Sequence, residues 1–239
     1  IWLSVDPMAD KYPSMSPYTY CANNPVRLVD PDGREIGDYY DLTGKYLGWD
    51  GIDDGNVYVV TGDANGSPFN NPRMQYAEDE IHRIPSSTTD RASLIADLEN
   101  FDSQHPNAEW GGVYGDVFDP NSPHRGTEQV VWGNKGEDSN PCEDDGVKEY
   151  KQVQAHDFPY NGFGVFFDYH SHGSGRCIKN NGTSYWIQSP GSEDRSNASN
   201  RQSSIYHRSF AVFAMGEKNV YFYNGDKNCG DLSFDTFIN

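Results

Sequence analysis

Two histidines separated by one residue, His170 and His172, are the strongest candidates for chemistry in this sequence. They follow the apolar run FGVFF, whose Val and Phe residues predict a strand. In an extended chain, residues two apart point to the same face, so both imidazoles would emerge together, with Ser171 on the other face. Such a pair can offer two nitrogen ligands to one metal ion. Two partly exposed residues of a turn would have the same spacing, so the pair alone leaves both interpretations open.

A hydrolytic zinc site needs more than two histidines. It takes three protein ligands and leaves a fourth position for water, whose pKa the ion lowers toward neutrality. A carboxylate outside the ligand set must take the proton of that water and pass it to the leaving amine. The elements around the histidine pair therefore have to supply an acidic ligand and a further carboxylate.

Residues 86–239 predict an α+β domain around a mixed sheet flanked by helices. Apolar residues recur at helical spacing over residues 94–101, and Thr89 or Asp90 could serve as the N-cap. The polar stretch after the histidine pair predicts a second helix that begins near Asp194, and Gly-Glu-Lys-Asn predicts a hairpin turn. Five runs rich in Val, Phe and Tyr predict strands: AEWGGVYGDVF, EQVVWGN, GFGVFFDYHSH, SFAVFAM and NVYFYNG.

Two segments of different character precede this domain. Residues 35–85 predict a polar connector with two possible hairpins, DLTGKYLGWDG and GNVYVVTGDANG, a strand at Val57–Val60 and a short helix around MQYAEDEIHRI. Residues 1–34 are irregular and crowded with Pro, Asn, Asp and Tyr. Turn signals such as Asp6-Pro7 and Asn24-Pro25 exclude a long helix there.

Charge and composition limit the classes of function. A formal net charge of −18 argues against nucleic acid as a partner, because such binding depends on Lys and Arg that neutralise phosphates. The sequence contains no run of about 18 apolar residues, the length needed to span a bilayer, and we expect no signal peptide. The chain begins at Ile1 instead of Met, so we expect it to be the tail of a longer protein. The four cysteines have no C-x-x-C spacing, which indicates neither a zinc knuckle nor a dense disulfide framework.

The stretch WLSVDPMADKYPSMSPYTYCANNPVRLVDPDGR resembles the end of the core domain of Rhs/YD-repeat proteins. In that family a β-solenoid shell encloses a variable C-terminal toxin, and the junction lies just past a DP-x-G element, here Asp30 to Gly33. The resemblance implies a toxin module downstream, a cognate immunity protein, and secretion or delivery as part of a longer Rhs protein. Some members cut themselves after a Leu that follows this Gly; Arg34 stands in that place and argues against self-cleavage.

The domain that follows resembles the JAB/JAMM metallopeptidases over roughly residues 88–225. Their pattern is a Glu that opens a Gly-bearing strand, H-x-H at a strand end, and Ser-x-x-Asp at the start of a helix. AEWGGVYG, HSH and SPGSED match these elements in order. The resemblance implies Glu109 as general base and then acid, and Ser192 as the hydroxyl that stabilises the oxyanion. It also implies three zinc ligands: His170, His172 and Asp194.

The chain departs from the JAB/JAMM pattern at three points. Gly173 follows the second His, where the family usually has Pro. The chain between the second and third ligands is longer than in the family, which implies an inserted loop, GSGRCIKNNGTSYW. The family Ser falls on Gly191, which leaves Ser192 and Ser189 as the nearest hydroxyls.

Several residues compete for these roles. Glu128, beside the strand run EQVVWGN, is the rival general base. Asp194 would also suit a helix N-cap, a role compatible with metal binding. Asp168 shares the face of the histidine pair, and we interpret it as a residue that supports the site. Cys177, within the proposed insertion, could be a soft ligand or a nucleophile, and we favour an ordinary thiol.

We therefore expect a Zn²⁺-dependent peptidase or isopeptidase that acts on proteins or peptides, including conjugates of ubiquitin-like proteins. Two alternatives stay open. The domain could have lost its metal and only bind a partner. It could also be a toxin with another hydrolytic target, such as a nuclease, although the net charge of −18 disfavours that alternative.

Overall fold

The protein combines two mixed sheets with a few helices, which confirms the predicted α+β class. Residues 1–34, which include the Rhs-like pattern and Arg34, lie outside the described residues. The same holds for most of the insertion between the second and third proposed ligands, and for the side chain of Cys177 within it. The structure is a computed structural model that describes residues 38–52, 54–66, 71–136, 161–175, 177–178, 184–185, 188–201 and 208–239.

Four short strands form the first sheet: β1 (Asp38–Asp41), β2 (Tyr46–Trp49), β3 (Val57–Val60) and β4 (Ile81–Ile84). Their order is β2-β1-β3-β4, with β1 and β3 parallel and the other neighbours antiparallel. The first predicted hairpin is confirmed as β1–β2, and the predicted strand at Val57–Val60 is confirmed as β3. The second predicted hairpin is wrong, because β3 pairs with β1 and β4 instead.

The helix predicted around MQYAEDEIHRI is shorter and begins earlier. Helix α1 (Pro72–Gln75) is followed by a 3-10 turn at Glu78–Glu80, and the last residues of the motif form β4. Ile84 lies opposite Val57 and is buried. Burial against a neighbouring strand thus outweighs local preference in this segment.

The first sheet packs against the second. Val57, Val59 and Ile84 belong to the same core cluster as Leu94 and Phe213 of the C-terminal segment. Residues 35–85, predicted to be a connector, therefore contribute side chains to the main core.

Six strands form the second sheet in the order β12-β11-β10-β7-β5-β6. Strands β10 and β7 are parallel, and the other neighbours are antiparallel. The five predicted strands and the hairpin turn before β11 are confirmed. Strand β12 was not predicted. The six strands are β5 (Gly111–Val117), β6 (Glu128–Trp132), β7 (Phe163–His172), β10 (Ser209–Ala214), β11 (Asn219–Tyr223) and β12 (Asn228–Ser233). A short pair, β8 (Cys177–Ile178) and β9 (Ser184–Tyr185), lies within the insertion.

Helix α2 (Thr88–Gln104) covers one face of this sheet, together with the short α4 (Phe234–Ile238). The predicted N-cap of α2, Thr89 or Asp90, is wrong by two or three residues. Ser87 is the cap, and its hydroxyl accepts a hydrogen bond from the Asp90 N–H at 3.2 Å. Within the described part of the chain, no helix has the length and apolar character that a membrane span requires.

The two faces of strand β7 contact two different layers of the molecule. Phe167 and Tyr169 point to one face, where they are fully buried in the main core. Helix α3 (Ser192–Arg201) packs on the other face, with Ala198 buried against Phe210 and Val212 of β10. The second face also carries the histidine pair, so α3 and the end of β7 define the candidate site.

Candidate metal centre

The end of β7 places His170 and His172 side by side, as the alternation along the strand predicts. Their Nε2 atoms are 3.2 Å apart, and the residues are only 5% and 8% exposed. The neighbouring strand positions leave room for the rings, since Gly111 lies opposite His170 on one side and Ala214 opposite His172 on the other. The interpretation as partly exposed turn residues is therefore wrong.

Asp194 completes a group of three. It lies in the first turn of α3, where Oδ1 is 3.1 Å from His170 Nε2 and Oδ2 is 3.7 Å from His172 Nε2. Oδ2 also accepts a hydrogen bond from the Gly191 N–H at 2.6 Å. This is the bond that an acidic residue makes back to the start of its helix in a capping box. Asp194 thus stabilises the helix start and faces the histidines at the same time.

The three side chains have the spacing of a metal site. One ligand atom from each residue lies within 4.8 Å of the other two. In a tetrahedral zinc site with bonds of about 2.0–2.1 Å, ligand atoms lie about 3.3 Å apart. The two imidazole nitrogens are 3.2 Å apart, Asp194 Oδ1 is 3.1 Å from His170, and Asp194 Oδ2 is 3.7 Å from His172, all close to that value. Two imidazoles and a carboxylate therefore fit a metal ion in both chemistry and spacing.

Glu109 lies beside this group. Its Oε1 is 3.7 Å from His172 Nε2, and its side chain is 12% exposed. Two hydrogen bonds fix the backbone of Glu109 and the next residue: Gly136 N–H donates to Glu109 O at 2.8 Å, and Ser171 N–H donates to Trp110 O at 2.7 Å. Glu109 is therefore a carboxylate at the edge of the ligand set.

Glu128 is placed elsewhere and has another role. It lies opposite Asp116, toward the far end of β5 from Gly111 and His170. Its carboxylate accepts hydrogen bonds from Arg83 at 2.9 Å and from both the N–H and the hydroxyl of Ser86 at 2.8 Å. These bonds fasten the turn before α2 to β6. Of the two candidate bases, only Glu109 faces the histidines.

The structure describes no contact between the candidate ligands and the hydroxyl that is predicted to stabilise the oxyanion. Ser192 is exposed at the first position of α3, and among the described contacts none joins it to the three candidate ligands. Ser189 is half-buried in the segment that leads into the helix.

His170 and Asp194 shift each other's pKa. Burial lowers the pKa of His170, but the hydrogen bond to Asp194 and the nearby carboxylates outweigh it and raise the pKa above its usual value of 6.5. Burial raises the pKa of Asp194, but the bond to His170 and the charges of both histidines hold it well below its ordinary range. Asp194 is therefore ionised at neutral pH, and its negative charge stabilises the protonated form of the neighbouring His170 imidazole.

Asp168 supports the site through an ion pair with the far end of helix α3. It is 3% exposed on the histidine face of β7, and Oδ2 lies 2.8 Å from Arg201 Nη1 and 3.9 Å from Arg208 Nη1. Arg201 is the last residue of α3, the helix that begins with Asp194. The ion pair thus anchors one end of the helix, while the candidate ligand Asp194 lies at the other. The shared face was visible in the sequence, but the arginine partners were not.

Two glycines allow the close packing of the site. A Cβ at Gly111 would lie 2.1 Å from Tyr169 O and 2.6 Å from His170 Cα. A Cβ at Gly173 would lie 2.3 Å from Pro106 O. Gly173 therefore lies at a position where any side chain would collide with the α2–β5 connection.

No protein-family model, curated protein or solved structure matches this chain. The site is therefore defined by its own geometry. His170, His172 and Asp194 form a largely buried group that could hold a metal ion, and Glu109 lies beside them.

Proposed function

We propose that this chain is a zinc-dependent peptidase or isopeptidase of the JAB/JAMM type. The observation that carries the proposal is the position of Glu109, whose carboxylate lies 3.7 Å from His172 at the edge of a group that could hold a metal ion. A catalytic zinc site needs three protein ligands and a separate carboxylate that transfers protons. The chain brings candidates for both together beside the end of β7, from β7, from α3 and from the residues that precede β5.

Zinc is the ion that suits this donor set. Two imidazoles and one carboxylate are frequent ligands of catalytic zinc, whereas calcium and magnesium prefer oxygen ligands alone. His170, His172 and Asp194 would hold the ion. When bound, zinc would polarise the scissile carbonyl and make a water molecule more acidic.

The chain's own residues would move the proton. Glu109 Oε1 would accept a proton from the attacking water and then donate it to the leaving amine. Its backbone is fixed to Gly136 and, through Trp110, to Ser171, which holds the chain that carries this carboxylate beside the candidate ligands. Ser192 and Ser189 are the candidates for the hydroxyl that stabilises the oxyanion. Ser189 is the less exposed of the two.

We further propose that this hydrolase is the toxin module of an Rhs-type protein. The resemblance of the first 34 residues to the end of an Rhs core supports this proposal, as does the position of the candidate site downstream of it. Protein or peptide substrates, including ubiquitin-like conjugates, would follow from the enzyme class. A cognate immunity protein and delivery as part of a longer chain would follow from the toxin class.

A metal-free domain that only binds a partner is the second candidate. It is favoured by the contact of 3.1 Å between His170 and Asp194, because a protonated imidazole and a carboxylate can stabilise each other without an ion. Retention of zinc through purification would distinguish the enzyme from this candidate.

Amide hydrolysis by the purified chain tests the proposal. A panel of peptides and isopeptide-linked ubiquitin-like conjugates would be assayed with wild type, Glu109→Gln and the matched control Glu128→Gln. We expect Glu109→Gln to lower kcat by at least about 100-fold while zinc is retained, since general acid–base catalysis contributes about 10²–10⁴. Glu128→Gln should keep its activity per folded molecule. Equal activity in Glu109→Gln and wild type would contradict the proposed base.

A further inference from the structure

The three candidate ligands come from two separate segments of the chain. His170 and His172 lie on β7, whereas Asp194 follows an insertion that ends just before α3. A metal site needs its ligands at fixed separations, so something must hold the end of the insertion against the end of β7. Gln188, at the exit of the insertion, occupies this place.

The side-chain amide of Gln188 makes two hydrogen bonds. Nε2 donates to Gly173 O at 2.9 Å, and Oε1 accepts from Gly216 N–H at 2.7 Å. Gly173 directly follows His172 in the chain. Gly216 directly follows Met215, whose N–H donates to His172 O at 3.0 Å. One side chain thus bridges the ends of β7 and β10 immediately beyond the second histidine.

The same residue lies close in the chain to the third candidate ligand. Gly191, whose N–H donates to Asp194 at 2.6 Å, is only three residues further on. The amide of Gln188 therefore joins the segment that carries Asp194 to the strand that carries the histidines.

The chemistry of the bridge suits glutamine. The two bonds require one donor and one acceptor on the same group, which an amide provides. A glutamate at this position could accept from Gly216 but, when ionised, would face Gly173 O without a donor. A methionine has a similar length but would make neither bond. On the opposite side, a Cβ at Gly216 would lie 2.9 Å from Gln188 Oε1, so the turn approaches the amide closely.

We propose that Gln188 is a positioning residue for the metal centre, whose amide bridge sets the separation between Asp194 and the histidine pair. The inference rests on the proposed zinc site and adds to it a residue that touches neither the ion nor the substrate. It assigns the bridge a function in metal binding in addition to fastening a loop.

The test compares Gln188→Met with the matched control Gln129→Met. Gln129 lies on the edge strand β6 and donates a single side-chain hydrogen bond, to Thr127 Oγ1 at 3.1 Å. Zinc affinity would be measured by chelator competition, and the visible absorption of the Co²⁺-substituted protein would report the ligand geometry. Thermal unfolding of the metal-free proteins would measure the cost to the fold.

We expect Gln188→Met to weaken zinc binding by about tenfold and to change the Co²⁺ spectrum, because residues that orient ligands affect metal affinity by about 10–100-fold. Gln129→Met should keep the affinity and spectrum of wild type. Should Gln188→Met fail to fold, Gln188→Glu takes its place, since it keeps the acceptor for Gly216, removes the donor to Gly173 and adds one negative charge; the changed Co²⁺ spectrum is then the deciding readout.

The outcomes separate the two proposals. Wild type that binds zinc, together with a folded Gln188 variant of unchanged affinity and spectrum, would overturn the positioning role and leave the zinc site standing. Wild type that binds no zinc would overturn both. A variant that unfolds at lower temperature but has unchanged affinity would reduce Gln188 to a loop fastener and also overturn the inference.

Discussion

Asp194 Oδ1 lies 3.1 Å from His170 Nε2, although a long insertion separates the two residues in the chain. The contact joins the first turn of α3 to the end of β7. It brings an ionised carboxylate to two imidazoles in a largely buried place, which is the arrangement that metal binding requires.

Asp194→Asn should separate the role of Asp194 in the site from its role in the helix. The amide oxygen can still accept the hydrogen bond from Gly191 N–H, so α3 should form normally. The ligand charge is lost, so zinc affinity should fall by more than about 100-fold. Chelator competition would measure the affinity and circular dichroism the helix. Glu193→Gln, one residue earlier and exposed, is the matched control. Similar zinc affinity in the two variants would contradict the assignment of Asp194.

Zinc affinity should rise with pH. The pKa of His170 lies above its usual value of 6.5, and zinc binds the deprotonated imidazole, so protons compete with zinc more strongly as pH falls. Titration calorimetry in two buffers with different ionisation enthalpies would count the released protons. Binding without proton release near neutral pH would show that the imidazole is already deprotonated.

The stability of the metal-free protein should decrease as pH rises, whereas zinc affinity should increase. A group whose pKa is raised in the folded state stabilises the fold below its unfolded value, and this contribution is lost as pH rises through the folded value. For His170, the metal-free protein should therefore lose this part of its stability as pH rises above 6.5. Urea unfolding in the presence of a chelator, compared between wild type and His170→Gln, would measure the difference. A difference that does not change with pH would contradict the raised pKa.

Asp168→Asn should destabilise the fold strongly. The carboxylate is buried, and two arginines face it. Removal of one partner of a buried ion pair costs about 3–5 kcal/mol. Glu99→Gln provides the contrast, since the exposed pair Lys218–Glu99 should contribute no more than about 1 kcal/mol. Urea unfolding of the two variants should differ accordingly, and equal values would rule out an anchoring role for Asp168.

Gly111→Ala should disrupt both the fold and the site. Its Cβ would lie 2.1 Å from Tyr169 O, and a backbone atom of a central strand cannot move aside cheaply. We expect a loss of about 3 kcal/mol, the upper part of the range for overpacking, and weaker zinc binding. Gly191→Ala is the control, because its Cβ would only approach Asp194 Oδ2, at 3.5 Å. Tolerance of both substitutions would show that the strands do not approach as closely as described.

The sequence contained the strongest local signals of this fold. Alternation along FGVFFDYHSH placed both histidines on one face, and the apolar spacing in α2 predicted a helix. Strand β12 was missed because, of its six residues, only Leu232 is buried, which leaves no alternation to detect. The N-cap of α2 was misplaced because Ser87, Thr88, Thr89 and Asp90 are all good caps in sequence, and the backbone alone decides among them.

The candidate site is formed by contacts between segments that are distant in the sequence, so only part of it could be predicted. The choice between Glu109 and Glu128 could not be made from spacing, because both lie beside strands; the partners Arg83 and Ser86 reveal the structural role of Glu128. The bridge made by Gln188 had no sequence signal, since glutamine at a loop exit is common. Pairing of strands sets these relationships, and local sequence does not encode them.

Metal content of the purified chain is the most direct test of the central claim. Mass spectrometry would be applied to wild type, to the double variant His170→Ala with His172→Ala, and to Glu109→Gln. We predict about one zinc ion per wild-type chain, its loss in the double variant, and its retention in Glu109→Gln, because Glu109 lies outside the ligand set. A folded wild type that neither retains nor takes up zinc would contradict the metal centre and leave the partner-binding domain as the better account.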